Sequence, residues 1–212
     1  MPANAGHGGA GTADAREAGG PAFATDRGMA WVFAVCGAVG FLASGQLVLE
    51  RLALYQDPGY VTSCDISPFV SCGKVFRTWQ AALFGFPNPL IGIVAFAVIL
   101  TTAMVLLSGA RPARWYWRGL QAGVGLGFVF VIWLWSQALF AIHILCLYCM
   151  AVWAAMIVLT VLLTARNAIH GDVPSPAALR RFLAGWAWPL TVLLLAATAA
   201  SVFFSFSRAF LG

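Results

Sequence analysis

The sequence predicts an all-α integral membrane protein with five transmembrane helices, and three observations carry that prediction. Of its 212 residues, 61% are hydrophobic and only 9% are charged, whereas a soluble domain carries about a quarter charged residues. Apolar runs recur at lengths close to the roughly 20 residues needed to cross a hydrocarbon core of about 30 Å. One stretch, Gly119 to Ala165, contains 47 residues without a single Asp, Glu, Lys or Arg. So few charges cannot wrap a water-facing surface around a core.

The elements follow in order. Residues 1–28 are rich in Gly and Ala, lack apolar periodicity and read as a disordered tail. They contain no basic start followed by an apolar run and a cleavage site, so they do not resemble a secretory signal. The first span is expected from Met29 to about Leu49, closed by Glu50 and Arg51. A polar loop, 52–88, carries Cys64 and Cys72. The second span runs from Pro89 to about Leu107, with Asn88 placed as an N-cap before a proline at the first helical position. Gly109, Arg111, Pro112 and Arg114 make a short basic turn.

As one helix, the uncharged run would be about 70 Å long, more than two hydrocarbon thicknesses. It must therefore fold back, and its midpoint, Ile142 beside His143, puts the tip of a helical hairpin near 142–145. The four spans of residues 29–165 form one core unit. A basic linker, 166–183, leads to a fifth span from about Ala184 to Phe206, and 184–212 comprises that span with a short tail.

Parity places the 52–88 loop, after the first span, and the hairpin tip, after the third, on the same side of the membrane. Cys64, Cys72, Cys146 and Cys149 therefore gather at one face. The tail, the 108–118 turn and the linker hold eight arginines: Arg16, Arg27, Arg111, Arg114, Arg118, Arg166, Arg180 and Arg181. The other side holds Arg51, Lys74, Arg77 and Arg208. The positive-inside rule then puts the N-terminus inside and the cysteines outside, where disulfides form and persist; with the resemblance described below, the expected location is a bacterial plasma membrane with the N-terminus cytoplasmic and the cysteines on the extracytoplasmic face. The net charge of +5 is spread over segment ends rather than grouped on a face, which excludes a nucleic-acid footprint.

The chemistry lies in two cysteine pairs. In "CLYC", Cys146 and Cys149 stand at i and i+3, on one helix face, in the expected first turn of the fourth span. The positive end of the helix dipole there favours a thiolate. A redox dithiol just inside the membrane surface is within reach of an apolar electron carrier dissolved in the bilayer. The other pair, in "SCDISPFVSCGKVF", is separated by seven residues in a polar loop with Pro and Gly. It reads either as a relay to an external thiol or as a static brace.

"CDISPFVSC" followed by "KVF", an Asn-led second span, and "CLYC" at the head of a later helix together resemble the vitamin K epoxide reductase family, in particular its bacterial members. The resemblance covers roughly residues 30–165. It implies a four-helix bundle core plus a fifth helix, an extracytoplasmic cysteine loop containing a short helix, and a thiol oxidoreductase that passes electrons to a membrane quinone, menaquinone or ubiquinone. It also implies roles: Cys149 beside the quinone ring, Cys146 its disulfide partner, Cys72 resolving that disulfide, Cys64 meeting an external partner, and Asn88 hydrogen-bonding a quinone carbonyl. Where vertebrate members have a substrate-contacting tyrosine, four residues after the second C-x-x-C cysteine, this chain has Trp153, whose indole N–H can still donate. Bacterial relatives often carry a thioredoxin-like domain after the fifth helix. Here the sequence stops at Gly212, so the expected partner is a separate extracytoplasmic thioredoxin-fold dithiol protein. In the alternative enzyme reading, a quinone or its epoxide is reduced with thiols only as donor.

Simpler readings stand beside these. Cys36 within the first span is a small buried hydrophobe, and His143 is an interfacial polar anchor. Four thiolates at one face could hold a soft metal ion, but no intramembrane ladder of Met, His or Asp marks a transport path, and no metal site is expected.

Overall fold

The computed structural model describes the backbone of residues 21–211 and the side chains of 21–206. Its helices are α1 (Asp26–Gln56), the short α2 (Cys72–Phe76), α3 (Pro89–Leu107), α4 (Arg114–Gln137), α5 (Leu147–His170) and α6 (Ala177–Leu211). All but α2 are long and apolar enough to cross a membrane. This is the expected all-α architecture of five spanning helices. α1 packs against α3 and α5, α5 also packs against α4, and α6 lies against α5. α3 and α4 touch little, which leaves a cleft between them.

Several boundaries depart from expectation. The part of the expected tail before Pro21 lies outside the described residues, but 21–28 is folded. Ala22–Ala24 forms a 3-10 turn in which Phe23 and Ala24 are buried, and α1 starts at Asp26. The Thr25 hydroxyl caps it, accepting from the Gly28 N–H at 3.0 Å, with Asp26 in the first turn complementing the helix dipole. At its other end α1 continues past Leu49 to Gln56, because neither Glu50 nor Arg51 is left exposed. Glu50 finds backbone donors in the loop. Arg51 donates to the Tyr55 hydroxyl at 3.2 and 3.1 Å and lies over the Phe76 ring.

The expected 166–183 linker is mostly helix as well. α5 runs to His170 and α6 begins at Ala177, leaving six residues, Gly171 to Pro176, as connection. Arg166 does not end the helix because its charge is met inside the fold. It is 4% exposed, pairs with Asp172 at 2.9 Å and Asp26 at 3.2 Å, and stacks on the Trp117 ring. Gly171, at φ 72°, supplies the left-handed C-cap that stops α5.

Small residues let α1 and α3 approach closely. A Cβ added at Gly40 would meet the Phe96 ring at 2.3 Å. The long uncharged run breaks in a π-helical turn, Ala138–Ile142, followed by His143 at φ 55° and a short extended stretch before α5.

Candidate active site

The loop between α1 and α3 is built around Asp65. Its carboxylate accepts from the Thr62 N–H at 3.0 Å, the Ser71 hydroxyl at 2.6 Å and the Gly73 N–H at 3.1 Å. Burial alone would raise its pKa, but these hydrogen bonds from Ser71, Thr62 and Gly73 outweigh it and hold the carboxyl below its ordinary value. The Ser71 hydroxyl also caps α2, accepting from Lys74 N–H at 3.1 Å. Cys72, the first residue of α2, is thereby fixed and joined by a disulfide to Cys64, Cα to Cα 5.6 Å.

The loop is tied to the C-x-x-C segment through backbone. Leu145 N–H donates to Phe69 C=O at 2.8 Å, and Ser71 N–H to Leu145 C=O at 3.0 Å. This pairing sets Cys72 Sγ 3.2 Å from Cys146 Sγ, and the sulfurs of Cys64, Cys72 and Cys146 all lie within 4.8 Å of one another. Cys146 is not in the first turn of α5 but is its N-cap, and its sulfur accepts from the Cys149 N–H at 3.3 Å. Cys146 and Cys149 are both free thiols.

Cys146 and Cys149 form one end of an apolar cavity of about 530 Å³ walled by α1, α3, α4 and α5. It opens along the cleft between α3 and α4, where Gly119, Gly123 and Gly127 line one face of α4 at successive turns. No atom lies within 4 Å of where a Cβ would stand at Gly119 or Gly123. An elongated apolar molecule fits such a groove.

Asn88 and Trp153 both line this cavity. Asn88 does not cap α3, contrary to expectation. A side-chain cap needs an extended backbone, and Asn88 is already helical at φ −53°, ψ −33°. Its amide instead clamps the turn that folds over it, donating to Gln80 C=O at 2.7 Å and accepting from Leu83 N–H at 3.2 Å. One N–H of that amide remains for the cavity. Cys36 is buried in α1 and belongs to neither cysteine pair, and His143 is exposed at the turn. The soft-metal reading fits poorly, because two of the three clustered sulfurs are bonded to each other.

Three participants escaped the sequence reading. Asp65 organises the loop. Glu50, 2% exposed, accepts the Ser63 N–H through both oxygens, at 3.1 and 3.0 Å. Tyr148, inside the C-x-x-C, shares a hydrogen bond of 2.8 Å with the Ser63 hydroxyl. The signal for Glu50 was the apolar pattern continuing beyond it through Leu52 and Leu54. That pattern marks a carboxylate inside a helix rather than at its end.

The model of the vitamin K epoxide reductase family matches residues 31–164, from α1 through most of α5. The chain belongs to the vitamin K epoxide reductase family. A search of curated proteins finds no match. Membership makes the protein a membrane oxidoreductase of a family that uses quinones as redox partners. The clustered cysteines and the cleft between α3 and α4 fall within the matched residues.

Proposed function

We propose that the protein oxidises a separate extracytoplasmic thioredoxin-fold dithiol protein and passes the electrons through its two cysteine pairs to a membrane quinone, menaquinone or ubiquinone. The observation that carries this reading is the 3.2 Å approach of Cys72 Sγ to Cys146 Sγ, which links the loop disulfide to a thiol pair lining the cavity.

The steps balance as follows. A partner thiolate attacks Cys64, forming a mixed disulfide and releasing Cys72. The partner's second thiolate then attacks its own mixed-disulfide sulfur and releases Cys64, leaving an oxidised partner and a reduced loop. Cys72 attacks Cys146 of a Cys146–Cys149 disulfide and frees Cys149. Cys64 next attacks Cys72, restoring the loop disulfide and freeing Cys146. The arrangement of a Cys64–Cys72 disulfide beside two free thiols corresponds to this stage. Two electrons and two protons then leave Cys146 and Cys149 for the quinone, giving hydroquinone and the C-x-x-C disulfide. The groove between α3 and α4 suits an isoprenoid tail, and the spare Asn88 N–H and the indole of Trp153 supply donors to the ring. A strongly oxidising partner, with a potential near about −120 mV, requires an acceptor such as a quinone.

Cys64 is only 1% exposed. The partner therefore reaches it after the loop opens, which requires breaking the Ser63 bonds to Glu50 and Tyr148. Cys72→Ala is expected to trap a disulfide between Cys64 and the partner, and Cys64→Ala one between Cys72 and Cys146, both visible on non-reducing gels. Equal activity losses with protein and small-molecule donors, without trapped species, refute the relay and leave a brace. For orientation, Ser108→Cys and Ser175→Cys should resist impermeant thiol reagents in intact cells. Labelling of both would place the cysteine end in the cytoplasm.

A further inference from the structure

The cavity wall holds a polar group that the cysteine relay does not use. Ser44, midway along α1, lines the cavity and is 2% exposed. Two other spanning-helix hydroxyls, Thr102 and Thr191, are as deeply buried, and each donates to the carbonyl four residues back, at 2.7 and 2.8 Å. That bond is available to any serine or threonine inside a helix. Ser44 does not make it, and its hydroxyl has no hydrogen-bond partner among the described residues.

On its α3 side that hydroxyl lies close against the backbone at Gly92. Gly92 of α3 faces Ser44, and a Cβ there would stand 2.3 Å from the Ser44 oxygen. Gly92 also lines the cavity and follows Asn88 by one helical turn, about 6 Å along the axis. Asn88 and Ser44 thus both stand on one wall of a mostly apolar cavity, with Asn88 at the end of α3 nearer the cysteines. A buried hydroxyl without a partner is the kind of group a ligand satisfies.

We infer that Ser44 is a substrate-binding residue, its hydroxyl donating a hydrogen bond to the deeper ring oxygen of a para-quinone whose other oxygen lies at Asn88. The inference rests on the quinone reading of the cavity. It assigns α1, which carries none of the four paired cysteines, a part in orienting the ring so that one oxygen faces Cys149.

The test uses the full chain in lipid nanodiscs, with dithiothreitol as donor and a short-tailed ubiquinone as acceptor. Ser44→Ala removes the oxygen but keeps the Cβ that also lies against Gly92, so its melting temperature should stay within a few degrees of the wild type. Its KM for the quinone should rise about tenfold, the factor of a hydrogen bond of ordinary strength, while kcat stays within about twofold. Quenching of tryptophan fluorescence by the quinone, with Trp153 in the cavity wall, should report the same loss of affinity. A purely packing role for Ser44 would instead lower the melting temperature and leave KM alone. Unchanged KM and unchanged quenching, with normal quinone turnover by the wild type, overturn the Ser44 assignment and leave the relay standing. Absence of any quinone turnover by the wild type overturns both.

Discussion

The two ends of the bundle are held together in opposite ways. At the end away from the cysteines, the Arg166 guanidinium is buried between Asp26 and Asp172 and stacked on Trp117. Beside it Asn167, fully buried, donates to Gln121 of α4 at 3.0 Å, and Arg118 donates to the Asp172 carbonyl at 2.7 Å. These contacts join α1, α4 and α5, and releasing those of Arg166 or Asn167 strands a buried charge or amide. At the cysteine end, the carboxylates of Glu50 and Asp65 are met by backbone and hydroxyl donors rather than by a buried cation. The other ties are neutral hydrogen bonds, a two-bond backbone pairing and a disulfide, and Ser63 sits exposed at the edge. One end resists rearrangement and the other can be undone one bond at a time. The proposed relay, which exchanges covalent bonds at one face while a quinone is held between the helices, is served by that asymmetry.

The comparison can be broken in four ways, taken from the largest effect. Cys149→Ala should abolish quinone reduction with any donor while leaving the melting temperature within a few degrees, since the substitution keeps the backbone N–H that Cys146 Sγ accepts. Substantial quinone turnover by this variant would remove Cys149 from the electron path.

Arg166→Ala should do the reverse. It leaves Asp26 and Asp172 without their buried cation, and breaking such a pair costs about 3–5 kcal/mol. The low end is expected because Arg114 also reaches Asp172, at 3.4 Å. Thermal denaturation in nanodiscs should show the loss, with quinone turnover per folded molecule unchanged. A stable variant with impaired turnover would mean that the two ends are not independent.

Tyr148→Phe removes the bond to Ser63, worth about 0.5–1.5 kcal/mol. Reduction of the loop disulfide by a protein dithiol should become a few-fold faster, and turnover driven by dithiothreitol should change less. Slower reduction by the protein would show Tyr148 to be part of the docking surface rather than a latch.

The smallest effect concerns pH. The folded-state pKa of Asp65 lies below its unfolded value. Its contribution to loop stability is therefore fully present above the ordinary carboxylate range and is lost as pH falls through the lowered folded value. Reduction of Cys64–Cys72 by a phosphine, whose attack needs no thiolate, should accelerate between about pH 4 and more acid conditions. Asp65→Asn should flatten that rise, and an unaltered acid profile would free Asp65 from its role as the loop's organiser.

Much of this molecule is legible in its composition and spacing. Five spans follow from apolar length, because a bilayer imposes one requirement on every helix that crosses it. The hairpin follows from an uncharged run too long for a single crossing. The gathering of Cys64, Cys72 and Cys146 at one end follows from parity. Boundaries at Glu50 and Arg166 were misplaced for a common reason. A charge in sequence reads as a helix end, yet both residues are buried inside helices because partners distant in sequence, Ser63 for one and Asp26 for the other, neutralise or solvate them.

What the sequence determined by itself is the class of molecule, the collection of its paired cysteines at one end of the bundle and the family pattern that they belong to. These depend on length, charge and local spacing. Tertiary structure alone decided that Asn88 clamps a turn instead of capping a helix and that Ser44 lines a cavity beside Gly92, and it gave the Cys72–Cys146 approach, which the family resemblance implies, its distance of 3.2 Å. Each of these depends on how backbones far apart in the chain approach one another. A hydrogen bond or a sulfur contact is made or lost within an ångström, a precision that hydrophobic periodicity does not carry.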